Sequence, residues 1–165
     1  MLGNLGYAEM SVGDLTAARG HLVESLGIAR ELDDTYGVVY ETFNLGMAEY
    51  LGGSPDAAGA LFTESFDLAR RVRMDIGTSY ALLGLAMACS GTDPARSARL
   101  HGAADASLAA LEETRDSLEA RLCDADRALL RAAMGREAFE AGYAAGRAMT
   151  PGEVLETALA PAVRR

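Results

Sequence analysis

A segment near the start of the chain is written out again forty residues later, and few folds accommodate such a repeat. Asn4-Leu5-Gly6, Ala8-Glu9, Gly13, Ala17-Ala18, Leu22, Glu24-Ser25 and Ala29-Arg30 return as Asn44-Leu45-Gly46, Ala48-Glu49, Gly53, Ala57-Ala58, Phe62, Glu64-Ser65 and Ala69-Arg70. A more worn third copy, read with a thirty-eight-residue step, contains Leu83-Gly84, Ala86, Gly91, Ala95, Leu100 and Ala103. A period of this length, with apolar residues at helical spacing, implies stacked helix pairs in which each pair buries its apolar face only against its neighbours. The expected class is all-α.

Punctuation falls where the repeat requires it. Each copy has a turn at its middle, Val12-Gly13-Asp14, Gly52-Gly53-Ser54-Pro55 and Ser90-Gly91-Thr92-Asp93-Pro94, with a capping residue ahead of an apolar periodic segment. The spacing predicts helices over 1–11, 14–32, 35–51, 55–73, 76–90 and 94–112, three antiparallel pairs in all. From 113 to 165 the repeat stops. Leu118, Leu122, Ala125 and Leu129 share a helical face, Gly135 reads as a C-cap, and Ala138, Phe139, Ala141, Tyr143 and Ala145 begin another helix. Thr150-Pro151-Gly152-Glu153 then reads as a capping box that opens a last helix. This segment is expected to close the stack as a helical cap. By the forty-residue step Met1 matches Glu41, inside a helix that begins near Thr35, so about six residues of the first copy's helix are expected to be missing. Leu2, Leu5, Leu15, Leu22 and Leu26 should then lack full cover, and self-association through that edge, as a homodimer, is expected.

The 165 residues suit one domain, and 50% hydrophobic residues are ample for a core. A net charge of -9 repels phosphate backbones, so direct binding of nucleic acid is not expected. Cys89 and Cys123 have no CxxC spacing and read as two reduced thiols. No apolar run reaches the ~18 residues of a membrane span and no signal peptide is visible, which points to a cytoplasmic chain. All 15 basic residues are Arg, a codon-bias trait of GC-rich bacteria.

The search for chemistry finds no catalytic set. Without lysine there is no phosphate-binding loop of the usual form. His21 and His101 lie in different repeats and read as helix-surface residues; with the cysteines scattered, no metal site is expected. Asp33-Asp34, Glu112-Glu113 and Asp124/Asp126 read as solvated helix ends and faces, and Ser25, Ser65 and Ser90 have no neighbouring base. The expectation is a non-enzyme without a cofactor. One stripe stands out. Tyr36, Tyr40, Phe43, Met47 and Tyr50 recur at steps of 4, 3, 4 and 3 on one helical face, while Thr42, Leu45 and Gly46 lie on the face that pairs within the repeat. The matching positions are Tyr7, Met10 and Ser11 in the first copy, and Thr78, Ala81, Leu85 and Cys89 in the third. Such a stripe is either an open face or core between neighbouring repeats.

These residues resemble the tetratricopeptide repeat in its long, forty-residue form. Leu5-Gly6, Gly13-Asp14, Ala18 and Ser25 carry the likeness, with Leu45-Gly46, Gly53-Ser54, Ala58 and Ser65, then Tyr80, Leu83-Gly84, Gly91 and Ala103. Glu9, Glu49 and Arg96 depart from the pattern. The resemblance implies a right-handed helical-repeat superhelix over 1–112, with a C-terminal helical cap over 113–165, and it places the stripe on the concave side. Nearly the whole chain is also similar to the C-terminal part of large actinobacterial regulators of the LuxR-type and SARP-type classes. Gly135, Glu137, Phe139, Tyr143, Gly146, Met149 and Thr150 through Leu159 carry that second likeness. It implies a non-catalytic interaction or scaffold module for transcription regulation, whose groove holds a protein segment or an adjacent domain of its own regulator. The alternative it implies is a small-molecule effector sensor, with the Tyr36, Tyr40 and Tyr50 hydroxyls as polar handles.

Overall fold

The computed structural model describes residues 1–161, and among them the regular structure is entirely α-helical. The elements are α1 (Leu2–Val12), α2 (Leu15–Glu31), α3 (Thr35–Leu51), α4 (Pro55–Arg71), α5 (Asp75–Cys89), α6 (Pro94–Ala110), α7 (Ser117–Met134), α8 (Arg136–Arg147) and α9 (Pro151–Leu159). Two compact units divide the chain, Met1–Gly84 and Leu85–Arg165, with the division inside α5.

Local chemistry sets the helix ends. Asp14, Asp34 and Asp93 each accept a hydrogen bond from the backbone N–H three residues on, satisfying a donor that the helix itself cannot. Ser54 holds the N-cap position of α4 without a side-chain bond; Pro55 behind it supplies a ready helical φ instead. Gly13 ends α1 in the left-handed region at φ 87. The expected capping box at α9 is present, with Thr150 and Glu153 each bonding the other's backbone N–H.

The repeat register differs from the thirty-eight-residue step. The N-caps Asp14, Ser54 and Asp93 are forty and then thirty-nine residues apart. The left-handed residues that follow the second helix of each pair, Asp33, Arg73 and Glu112, keep the same two intervals. The residue is lost at the middle turn. Gly13 and Gly53 are left-handed there, whereas Gly91 is not among the positive-φ residues, and α5 stops at Cys89. Leu22, Phe62 and His101 are therefore equivalent positions, and so are Leu26, Phe66 and Asp105.

In the first unit each pair closes on a small residue. Leu22 lies against Gly6, and Phe62 lies against both Gly46 and Gly84. A Cβ at Gly46 would come within 2.7 Å of the Phe62 ring. Phe43 packs against Phe62 and edge-on to Tyr80, each with centroids 5.6 Å apart. Val39, Ala69 and Met74 form a second cluster with Leu68, Val72 and Ile76 against it. The Ser65 hydroxyl donates to the Val39 carbonyl at 3.0 Å, so its burial costs little. Leu22 and Leu26 are buried, against the expectation of an uncovered edge, because they face the interior of their own pair. Leu5 is exposed as expected and Leu2 and Leu15 are half-buried, while Val23 and Ile28 of α2 and Leu32 at its end are exposed as well.

In the second unit α6 and α8 cross at backbone contact. Gly102 faces the Tyr143 carbonyl and Gly146 faces the Arg99 backbone, with Gly142 beside Ala98. Ala98, Leu130 and Phe139 form the apolar centre, with Met134 and Tyr143 packed on it. Arg96, the residue that broke the repeat pattern, is buried. Its Nε donates to the Thr157 carbonyl at 2.9 Å and its other terminus to the Ala158 carbonyl at 2.7 Å, so it caps the C-terminus of α9.

Candidate functional site

The aromatic stripe of α3 divides along its length. Tyr36 is 55% exposed and Tyr40 44%, whereas Phe43 and Met47 are core. Tyr50, at the far end, is half-buried. The division follows from what surrounds α3, a helix packed on two sides. Gly46 is buried against Phe62 of α4, and Phe43 is buried against the rings of Phe62 and Tyr80 from α4 and α5, whereas Tyr36 and Tyr40 in the first two turns stay open.

None of the matching aromatic or apolar positions in the other copies is exposed. Met10 is buried and Tyr7 half-buried in α1. Thr78 is half-buried, and its hydroxyl donates to the Met74 carbonyl at 3.1 Å. Leu85 is buried. The Cys89 thiol is half-buried, lies 3.5 Å from the Ala86 carbonyl, and is pushed up to about 12 by burial, so it stays protonated and unreactive. The exposed members of the stripe are therefore Tyr36 and Tyr40, one helical turn apart. On the other side of α3 a cleft of about 580 Å³ opens toward α2, lined by Thr16, Arg19, Gly20, Val23, Ala48 and Glu49. Gly20 leaves room there, and the Arg19–Glu49 ion pair at 2.7 Å crosses between the helices.

The second unit holds a polar constellation that the sequence reading did not find. His101 and Asp126, which read as surface residues in their own segments, are buried and joined by a 2.7 Å hydrogen bond from imidazole Nε2 to Oδ2. Arg127 Nε donates toward His101 Nδ1 at 3.4 Å, and its guanidinium donates to Asp105 Oδ1 at 2.7 Å. Arg115 pairs with the same carboxylate and the Tyr143 hydroxyl donates to its other oxygen. Burial pulls the His101 pKa below its ordinary value, with the Asp126 bond working in the opposite direction. The bonding assigns a neutral ring with Nε2–H donating and Nδ1 accepting. Burial likewise pushes the Cys123 thiol up to about 11.

His101 thus has a carboxylate on one nitrogen and a guanidinium on the other, so both ring atoms are occupied by structural partners. A signal for this cluster exists in the chain. With the forty-then-thirty-nine register, His101 and Asp105 stand where the other copies have Leu22 and Phe62, then Leu26 and Phe66. Two adjacent core positions turned polar imply polar partners facing them, and Asp126 with Arg127 on α7 supply them. Among the described residues no group of three or more His, Cys, Asp or Glu side chains is placed to hold a metal ion, and no helix is long and apolar enough to cross a membrane. No protein-family model, curated protein or solved structure matches the chain.

Proposed function

We propose that the chain is a non-catalytic interaction module of the tetratricopeptide kind, a right-handed stack of helix pairs whose α3 face captures a protein segment. The observation that carries this reading is the pair Tyr36 and Tyr40, exposed on successive turns of a helix whose next two turns are core. Aromatic side chains held by a rigid element supply contact area at small entropic cost, as interface anchors do. The partner is a segment or adjacent domain of a bacterial transcriptional regulator of which this chain is the C-terminal part, in keeping with the likeness of residues 135–159. The acidic surface, at net charge -9, favours a basic or neutral segment.

Replacing Tyr36 and Tyr40 together by alanine tests the reading, since both side chains are open to solvent and their loss leaves the core intact. Capture of a partner by the native module should fall by at least tenfold in the double variant, the loss of about 1.4 kcal/mol or more expected of one anchor residue, with helicity unchanged by circular dichroism. Equal capture by both forms overturns the α3 face as the site. Met47 is unsuitable for such a test: truncating a buried methionine costs ~2–5 kcal/mol of stability and would confuse binding with folding. The small-molecule reading has one observation in its favour, the cleft of about 580 Å³ between α2 and α3, which is of ligand-pocket size. Stabilisation of the module by a metabolite in a thermal-shift screen, abolished by Gly20→Leu, would select that reading.

A further inference from the structure

The first two helix pairs close on apolar residues at two successive core positions, Leu22 and Leu26, then Phe62 and Phe66; the third places His101 and Asp105 there. An apolar pair at those positions would be the simpler core, because a buried ionic network gains little net stability over packed hydrophobes. The network joins α6 to the middle of α7, at Asp126 and Arg127, and through Arg115 to the loop before it. The end of α7 is held differently, by Leu130 in the apolar centre with Ala98 and Phe139. α8 is fastened to α6 by the backbone contacts of Gly102 and Gly146. The stretch from the 112–116 loop to Arg127 therefore carries the charged contacts to α6, beside the buried side chains of Leu118 and Cys123.

We infer that His101 is a pH-sensitive latch: protonation of its Nδ1 releases the loop and α7 as far as Arg127 from α6, while α8 and the end of α7 stay docked. The geometry gives the reason. In the neutral ring Nδ1 accepts from Arg127 Nε at 3.4 Å. A proton on that nitrogen removes the acceptor and sets an imidazolium against a guanidinium at the same distance, in a buried site. The Asp126 carboxylate on Nε2 opposes the change but does not replace the acceptor lost at Nδ1. Asp126 already accepts from Nε2, and Asp105, one turn along α6, is shared by Arg127, Arg115 and Tyr143. Glu119 and Cys123 share the α7 face with Arg127 by helical spacing, and both are buried. Cys89 at the end of α5 is close enough to feel the Asp126 charge, and Glu153 and Glu156 of α9 are exposed.

The direction in pH follows from linkage. The imidazole buried under α7 resists protonation, whereas the same group, uncovered on α6 once the segment leaves, takes up a proton near its ordinary value of 6.5. The docked state is thus fully favoured above that value and loses ground as pH falls below it.

Hydrogen exchange on the full chain at pH about 7.5 and about 5.5, corrected for intrinsic rates, reads the latch segment by segment. Protection over 112–127 should fall on the order of tenfold for each pH unit below the ordinary histidine value. Protection in α1–α4 should hold. His101→Gln keeps an N–H for Asp126 and an oxygen for Arg127 but does not titrate, so it should flatten the response, and His21→Gln in the other unit should leave it intact. An equal loss in His101→Gln, or no loss in the native chain, overturns the latch. Should His101→Gln fail to fold, the imidazole signals of the native chain decide by NMR. Release that tracks the titration of His101 supports the latch, and release that tracks carboxylates or His21 overturns it.

Discussion

Single residues in this chain act mainly through the space they leave. Gly102 and Gly146 sit where a Cβ would meet the backbone of the facing helix, which cannot turn aside as a side chain can. Gly20 and Gly27, on α2, have open space at the same point. Alanine should therefore have opposite effects at the two kinds of site. Gly146→Ala is expected to lower stability by ~1–3 kcal/mol as an overpacked contact, and Gly20→Ala to raise it by ~0.5–1 kcal/mol through helix propensity. Urea denaturation of both variants checks the pair, and a loss in each would mean that the space around Gly20 is needed. The sequence shows both glycines alike. Only the partner helix distinguishes them, although the i, i+4 spacing of Gly142 and Gly146 in α8 was a sign that two helices come close.

At the scale of elements, α9 shows how a departure from a repeat can be read. Arg96 disturbed the third copy because a long cation stood where small residues were expected. In the structure its guanidinium satisfies the last carbonyls of α9, which the helix cannot bond internally. Removing it in Arg96→Met keeps the stem and leaves those carbonyls without their charged donor, at a cost of ~1.5–3 kcal/mol for the charge-assisted bonds. The effect should be confined to α9. Limited proteolysis is expected to cut within 148–160 many times faster than in the native chain while α6–α8 stay resistant. Unchanged resistance of α9 would show that its apolar contacts alone, centred on the buried Ala158, hold it. Capping residues and helix limits were legible because they depend on residues a few positions apart. The bond from Arg96 to Ala158 spans 62 positions and was not.

At the scale of the whole molecule, the exposed apolar residues of α2 bear on self-association. Ile28 and Leu32 are 42% and 72% exposed, whereas Leu68 and Val72, their counterparts forty residues on, pack against Val39, Ala69 and Met74. The first pair thus presents a face of the kind that the second pair buries. We expect reversible dimerisation through this face, seen as a concentration-dependent sedimentation coefficient, and Ile28→Arg with Leu32→Arg should return the chain to a monomer. A native chain that stays monomeric at all accessible concentrations would show that the face is tolerated in water.

What the residues alone determined is the all-helical class, the approximate helix ends and the pairing of α1 with α2 and of α3 with α4, because these follow from periodicity and from contacts between near neighbours in the chain. The tertiary structure decided which faces of those helices are open. Tyr36 and Phe43 stand on one stripe of α3, and no local signal separates them; the rings of Phe62 and Tyr80 cover one and leave the other in water. The same holds for His101 and Asp126. Each reads as a surface residue in its own segment, and only the packing of α7 on α6 withdraws both from solvent and joins them, since burial depends on everything that surrounds a side chain.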